Sequence, residues 1–328
     1  MPATMALSTP PMRSAEARCV RLIGDIGGTN ARLALARGGA WGELATYLSD
    51  DYPTIQACIE DYLADHAGED RPTEIALAIA GPVAGDRVAM TNHPWSFTKT
   101  ELKEKFGVKR LEILNDFTAN AVALPYLKPE DLEPVGGGTK VGDAPIGVLG
   151  PGTGLGVSGL VPAPDKTWIP LTGEGGHITL AASTDRESDV IANLRRRFDH
   201  VSAERLLSGD GLVNIYHALC ALDGVPTADY KPAQITDAGQ RDSQCLEAVD
   251  LFCAMLGAVA GDLALTLGAA GGIYIAGGIV PRLGPRFARS RFRRRFEDKG
   301  RFRAYLEKIP TLLITNQHPA LVGLACMK

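Results

Sequence analysis

The sequence predicts an α/β protein built from two related halves with a ligand cleft between them, and three observations carry that prediction. Apolar runs of strand length alternate along the chain with helical patterns, as they do in α/β folds. The segments "LIGDIGGTNARLAL" (Leu22 to Leu35) and "VLGPGTGLGVSGLV" (Val148 to Val161) both read as a strand, a Gly-rich turn with a Thr, and a second strand. In the same order, "IALAIAGPV" (Ile75 to Val83) and "GIYIAGGIVP" (Gly272 to Pro281) each read as a buried strand ending in Ala-Gly. An order that occurs twice implies an internal duplication whose second copy carries insertions, and a duplication of this kind places its functional cleft between the halves.

The elements follow in chain order. Leu22 to Ile26 and Arg32 to Ala36 form a hairpin around Gly27-Gly28-Thr29-Asn30, which supplies the turn chemistry. A strand over Leu111 to Leu114 leads through Asn115-Asp116 into a helix from about Phe117 to Leu127. "VSAERLLSGDGLVNIYHAL" gives two shorter helices joined at Ser208 to Gly211. Cys245 to Gly268 is a long helix, apolar almost all round and so buried under a sheet. The Arg-rich run Arg289 to Arg303, with Phe292 and Phe296 one helical turn apart, reads as a solvated amphipathic helix. "PALVGLACMK" is a last short helix.

Bulk properties exclude several classes. A net charge of -4 supplies no field for nucleic acid, and 45% hydrophobic with 22% charged residues describes an ordinary globular chain of 328 residues. The six cysteines show no C-x-x-C spacing and no clustering with His, so neither a disulfide framework nor a zinc site is signalled, which suits a reducing compartment. No apolar run of about 18 residues exists for a membrane helix, and residues 1–20, rich in Pro, Ala and Ser, lack the apolar core of a signal peptide and read as a disordered extension.

The chemistry concentrates at a few points. There is no Walker-type phosphate loop, and the single G-x-G-x-x-G (Gly154, Gly156, Gly159) runs into Leu160-Val161-Pro162, which cannot open a helix, so it is no dinucleotide fingerprint. The backbone N–H groups of a Gly-rich turn do form a concave anion site, and Asp25 beside such a turn can orient Mg²⁺ through water, since that ion dehydrates reluctantly. Asp116 follows a strand and begins a helix: it is an N-cap or, at the carboxyl end of a strand where α/β proteins place active groups, a general base. Glu174 and His177 on the Gly-rich turn "GEGGH" are either loop residues or ligands. Glu204 is either a capping partner of Ser202 or a second carboxylate for a ligand. Asn92-His93-Pro94 reads as a turn, with Trp95 in the core.

Six segments in register, "GDIGGTNARLAL", "LNDFTANAVALP", "GPGTGLGV", "GEGGH", "HVSAERLLSG" and "AGGIVPR", resemble the bacterial glucokinase family of the sugar kinase, actin and Hsp70 superfamily. The resemblance runs from about Leu22 to the end of the chain. It implies two ribonuclease H-like domains of the actin-like ATPase fold: a small one over 21–126 to which 318–328 returns, and a large one over 127–317. It implies ATP-dependent phosphorylation of glucose at its 6-hydroxyl. In that scheme Gly24, Asp25, Ile26, Gly27, Gly28 and Thr29 face the nucleotide phosphates, with Asp25 near Mg²⁺. Gly152, Thr153 and Gly154 form the second phosphate loop, and Gly277-Gly278 passes close to adenosine. Asp116 is the base, and Asn115, Asp116, Glu174, His177 and Glu204 bind the sugar. A loose phosphoryl-transfer transition state does not require Asp116 to have a raised pKa. A cytoplasmic homodimer without nucleic-acid or membrane partners completes the expectation. The rivals are a kinase for another hexose and a nucleotide-binding regulator on the same fold. A related repressor/kinase group bears a Cys-rich zinc motif that the scattered cysteines do not supply.

Overall fold

The structure, a computed structural model, describes residues 19–68, 70–237 and 239–327. Most of the extension expected over 1–20 lies outside those residues, but Val20 is buried and its carbonyl accepts the Thr73 N–H at 2.8 Å. The chain divides into a first unit that ends at Ala119 and takes up the segment from Ala320 onward, and a second unit, Asn120–Pro319.

In the first unit, β1 (Arg21–Ile26) pairs antiparallel with β2 (Asn30–Arg37), which carries the short β3 (Ala40–Trp41) and β4 (Ala45–Leu48) on its far side. On its other side β1 runs parallel to β5 (Glu74–Ile79), and β5 parallel to β8 (Arg110–Asn115); β6 (Arg87–Ala89) and β7 (Ser96–Thr98) form a separate hairpin. The period of two along each strand sorts the side chains. Leu22, Ile26, Leu33, Leu77 and Ile79 join the Ile55–His66 helix on one face, while Ile23, Ala34, Ala36, Ala76 and Ala78 meet Ala119 and the Pro319–Cys326 helix on the other. Alanines on that second face let the helices lie close. Arg21 bonds Glu74 at 2.6 Å and donates to the Leu324 and Met327 carbonyls, so a cation sits at the carboxyl end of the returning helix, where the helix dipole favours it.

The second unit repeats the plan. β10 (Ile146–Pro151) pairs antiparallel with β11 (Leu155–Pro162), β11 with β12 (Trp168–Thr172), and β10 runs parallel to β13 (Ile273–Ile275) and β13 to β14 (Thr311–Ile314), with β9 (Leu132–Pro134) antiparallel at the edge. Both sheets therefore place a hairpin first and the Ala-Gly strand parallel to it, the ribonuclease H-like order expected of an actin-like ATPase. The Ser243–Leu267 helix is buried along most of its length, capped by Asp242, whose Oδ1 accepts from Gln244 and Cys245. It is long and apolar enough to cross a membrane by length and composition, which corrects the expectation that no such run exists; its apolar side chains fill the core of the second unit.

The Arg-rich run departs from expectation. It breaks into a short helix (Phe292–Glu297), a turn (Gly300–Phe302) and another short helix (Arg303–Leu306), and only Phe292 and Phe296 are buried as a stripe. Two of its arginines are internal rather than solvated. Arg293 donates to the Ile309 and Glu307 carbonyls, and Arg295, 6% exposed, pairs through both nitrogens with the fully buried Glu187 at 2.9 and 3.2 Å. Removing one partner leaves an uncompensated buried charge, so Glu187→Ala is expected to cost about 3–5 kcal/mol of stability. A urea unfolding midpoint within experimental error of the parent would contradict that.

Candidate functional site

Strand register alone brings the first group together. Ile26 of β1 lies beside Ile79 of β5, which lies beside Asn115 of β8, so the carboxyl ends of three parallel strands finish level. Alternation turns Ile26 into the Ile55–His66 face, and Asp25 one residue earlier toward the face that carries the Asp116–Ala123 helix. Asp25 and Asp116 are consequently neighbours. Gly24 sits inside β1, where an added methyl carbon would lie 2.7 Å from the Leu77 side chain, and Ile26 is core. Of the six residues from Gly24 to Thr29, the part free of the sheet is the turn Gly27 to Thr29. That turn closes by a Gly27 N–H to Asn30 O bond of 2.9 Å. Ser49, fully buried, braces it: its hydroxyl donates to Gly27 O at 3.1 Å and its N–H to Thr29 O at 2.9 Å. Sequence reasoning missed Ser49, which sits 22 residues from its partner with no motif around it.

The Asn115-Asp116 pair resolves the capping question. Asn115 is the cap: its Oδ1 accepts the N–H groups of Phe117 at 2.9 Å and Thr118 at 3.3 Å, while its amide donates to Gly81 O at 3.3 Å. Asp116 is the first helical residue, its Oδ1 adding one 2.9 Å bond from Phe117. The helix ends at Ala123 and continues as a 3₁₀ turn over Leu124–Tyr126. Burial, and then the Asp25 carboxylate, push the Asp116 carboxyl up to about 6 from an ordinary 3.8, against the opposing bond from Phe117. A loose phosphoryl-transfer transition state does not require this shift; it arises because the acid is desolvated beside a second acid.

A base must be ionised, so if Asp116 is one, kcat/KM is expected to rise between pH 5 and 7 with a midpoint near 6. A profile flat across that range would remove Asp116 from the role. Asn92 and His93 belong to a turn: His93 Nε2 lies 3.3 Å from Asp50, its ring meets Trp95 edge-on, and Trp95 is core at 3% exposure.

The second unit gathers a second group around β10 and β11. Gly152 N–H donates to Gly154 O at 2.8 Å across a turn whose Thr153 is exposed. Gly277, at φ +84, presses on the Pro151 carbonyl where no side chain fits, and Gly278 faces open space, so the turn after β13 lies against the Gly150 to Gly154 loop. Glu174 precedes and His177 ends a 3₁₀ turn (Gly175–His177) packed on β11, both exposed. Glu204 lies in another 3₁₀ turn, Ala203–Arg205, and does not cap with Ser202; its Oε2 accepts the Leu155 N–H at 2.8 Å. The structure thus groups Asp25, the Gly27 to Thr29 turn, Asn115 and Asp116 in the first unit, and Gly152 to Gly154, Glu174, His177, Glu204 and Gly277-Gly278 in the second.

A family model described as Glucokinase matches residues 22–328. The chain is 52% identical over 308 residues to the glucokinase of Nitrobacter hamburgensis, covering 93% of this chain and 96% of that one. It belongs to the glucokinase family. The glucokinase of Aromatoleum aromaticum is 51% identical over 309 residues, covering 93% of each chain. Among solved structures, glucokinase from an Antarctic psychrotroph superposes with a TM-score of 0.86 at 37% identity, covering 94% of this chain and 98% of that one. In this glucokinase family member the two groups are candidate site residues: Gly-rich turns in each unit, the exposed Glu174 and His177, and Asp116 with its carboxyl pushed up to about 6.

Proposed function

We infer that this chain transfers the γ-phosphoryl group of ATP to the 6-hydroxyl of glucose, giving glucose 6-phosphate and ADP, the first step of glucose use in glycolysis. The observation that best supports Asp116 as the base is its position: a desolvated carboxylate at the end of β8, beside Asp25, with the helix cap resting on Asn115. Asp116 orients the hydroxyl and accepts its proton late, while Asn115, Glu174, His177 and Glu204 hold the ring. The N–H groups of Gly27 to Thr29 and of Gly152 to Gly154 meet the phosphates, and the bare Gly277-Gly278 turn lies against adenosine.

Asp25 fits Mg²⁺ by its donor chemistry: the ion takes one or two carboxylates, water and substrate phosphates, and Asp25 stands at a strand end next to the phosphate turn. When bound, the ion neutralises charge that develops on the phosphoryl oxygens. The six cysteines are free thiols, which supports a cytoplasmic enzyme, and the assembly we expect is a homodimer.

A panel of hexoses with ATP and Mg²⁺, read by release of ADP, tests the reading. Turnover that needs glucose supports it. Equal turnover without sugar would favour an ATPase, and a strong preference for another hexose would reassign the substrate.

A further inference from the structure

Glu204 touches the phosphate loop as well as occupying a sugar-binding position. The segment Ala203 to Gly209 grips the Gly152 to Leu155 loop at two points: Glu204 Oε2 takes the Leu155 N–H at 2.8 Å, and the Gly209 N–H donates to Gly152 O at 2.9 Å. Ser208 fastens this strap, its hydroxyl donating to Glu204 O at 2.8 Å and accepting the Gly211 N–H at 3.0 Å. The loop in turn makes room for the carboxylate, because any side chain at Gly154 would occupy the position of Glu204 Oε2.

We propose that Glu204 is a positioning residue for the nucleotide: one carboxylate oxygen sets the backbone of the second phosphate loop while the other takes a sugar hydroxyl. The proposal rests on the glucokinase reading and deepens it. One rigid carboxylate then serves both substrates within a single unit. Sugar that fixes its orientation fixes the loop as well, and the coupling is reciprocal by linkage.

The test separates reach from charge. Affinity for a non-hydrolysable ATP analogue with Mg²⁺ is measured without sugar, a condition under which a residue that only binds sugar has no effect. Glu204→Gln keeps the length and an acceptor oxygen for the Leu155 N–H; Glu204→Asp keeps the charge but is one methylene short. The Gln variant is expected to stay within about twofold of the parent and the Asp variant to bind about tenfold more weakly, the worth of one charge-assisted hydrogen bond. Both are expected to lose glucose affinity.

Gly154→Ala, which displaces the carboxylate from the loop side, should weaken the analogue as the Asp variant does, yet cost nothing further in a Glu204→Ala background, because the nearest atoms it meets are those of Glu204; an equal cost in both backgrounds also overturns the proposal. An Asp variant with parental nucleotide affinity, or a Gln variant weakened as much as Asp, overturns the proposal. A parent chain that binds no analogue sinks the kinase reading instead, so the two failures are distinguishable.

Discussion

Replacing Asp116 by asparagine is expected to lower turnover by roughly 10²- to 10⁴-fold, the range for a lost general base, while leaving glucose affinity nearly intact and raising stability. The first effect follows because an amide cannot accept the proton of the attacking hydroxyl. Affinity is retained because the sugar ligands proposed above, Asn115, Glu174, His177 and Glu204, are untouched. The stability gain follows from linkage. Asp116 titrates at about 6 in the folded chain against 3.8 ordinarily, so the folded state holds the proton more tightly than the unfolded one. The stability this provides is complete below about pH 3.8 and is lost as the pH rises through about 6.

At pH 7 to 8, then, the ionised acid costs the native state up to about 3 kcal/mol, at roughly 1.4 kcal/mol per pKa unit. Asparagine carries no such cost. It also keeps the cap, which Asn115 makes with Phe117 and Thr118. Thermal unfolding at pH 7.5 and at pH 4 checks the sign, since the gain should vanish at the lower pH. A variant that is less stable at pH 7.5 and retains more than about a tenth of its turnover would show Asp116 to be structural.

Excess chelator is expected to bring turnover to background. The segments Gly24 to Asn30 and Gly150 to Gly156 contain no Lys or Arg, and Arg32, 3.5 Å from Asp25, already faces its carboxylate. A polyphosphate brought to the Gly24 to Asn30 loop beside Asp25 and Asp116 therefore meets uncompensated negative charge unless a divalent cation comes with it. Asp25→Asn should raise the Mg²⁺ concentration needed for half-maximal rate about 10- to 100-fold, as loss of a group that orients a metal's ligands does. Full activity in chelator would refute the metal requirement, and an unchanged Mg²⁺ titration for the variant would take Asp25 out of the role.

The duplicated plan was legible because its signals are local: apolar runs of period two, Gly-rich turns, and the Ala-Gly strand ends repeated at Gly81 and Gly277. The candidate site residues stood out as motifs for the same reason. What escaped depends on contacts remote in sequence. Ser49 holds Gly27 across 22 residues, and Arg295 finds Glu187 across 108, so an arginine that reads as solvated is buried. The cap fell to Asn115 rather than Asp116 because both are good caps, and only the backbone decides which carbonyl oxygen faces the helix's open N–H groups. The raised Asp116 pKa comes first from burial and then from Asp25 as a neighbour, and the fold supplies both where residue spacing does not.

The Pro319–Cys326 helix, tied to the first sheet by Arg21, also sets an order of events during synthesis. The sheet of the first unit has one face covered early, by the Ile55–His66 helix, whereas Ile23, Ala76 and Ala78 on its other face meet Leu321 and Leu324 only after the whole second unit, Asn120 to Pro319, has been made. Until then an apolar surface stays open on the nascent chain, a hazard of any unit that is closed by a segment made after another unit. The second unit, contiguous from Asn120 to Pro319, can complete its core before the first can.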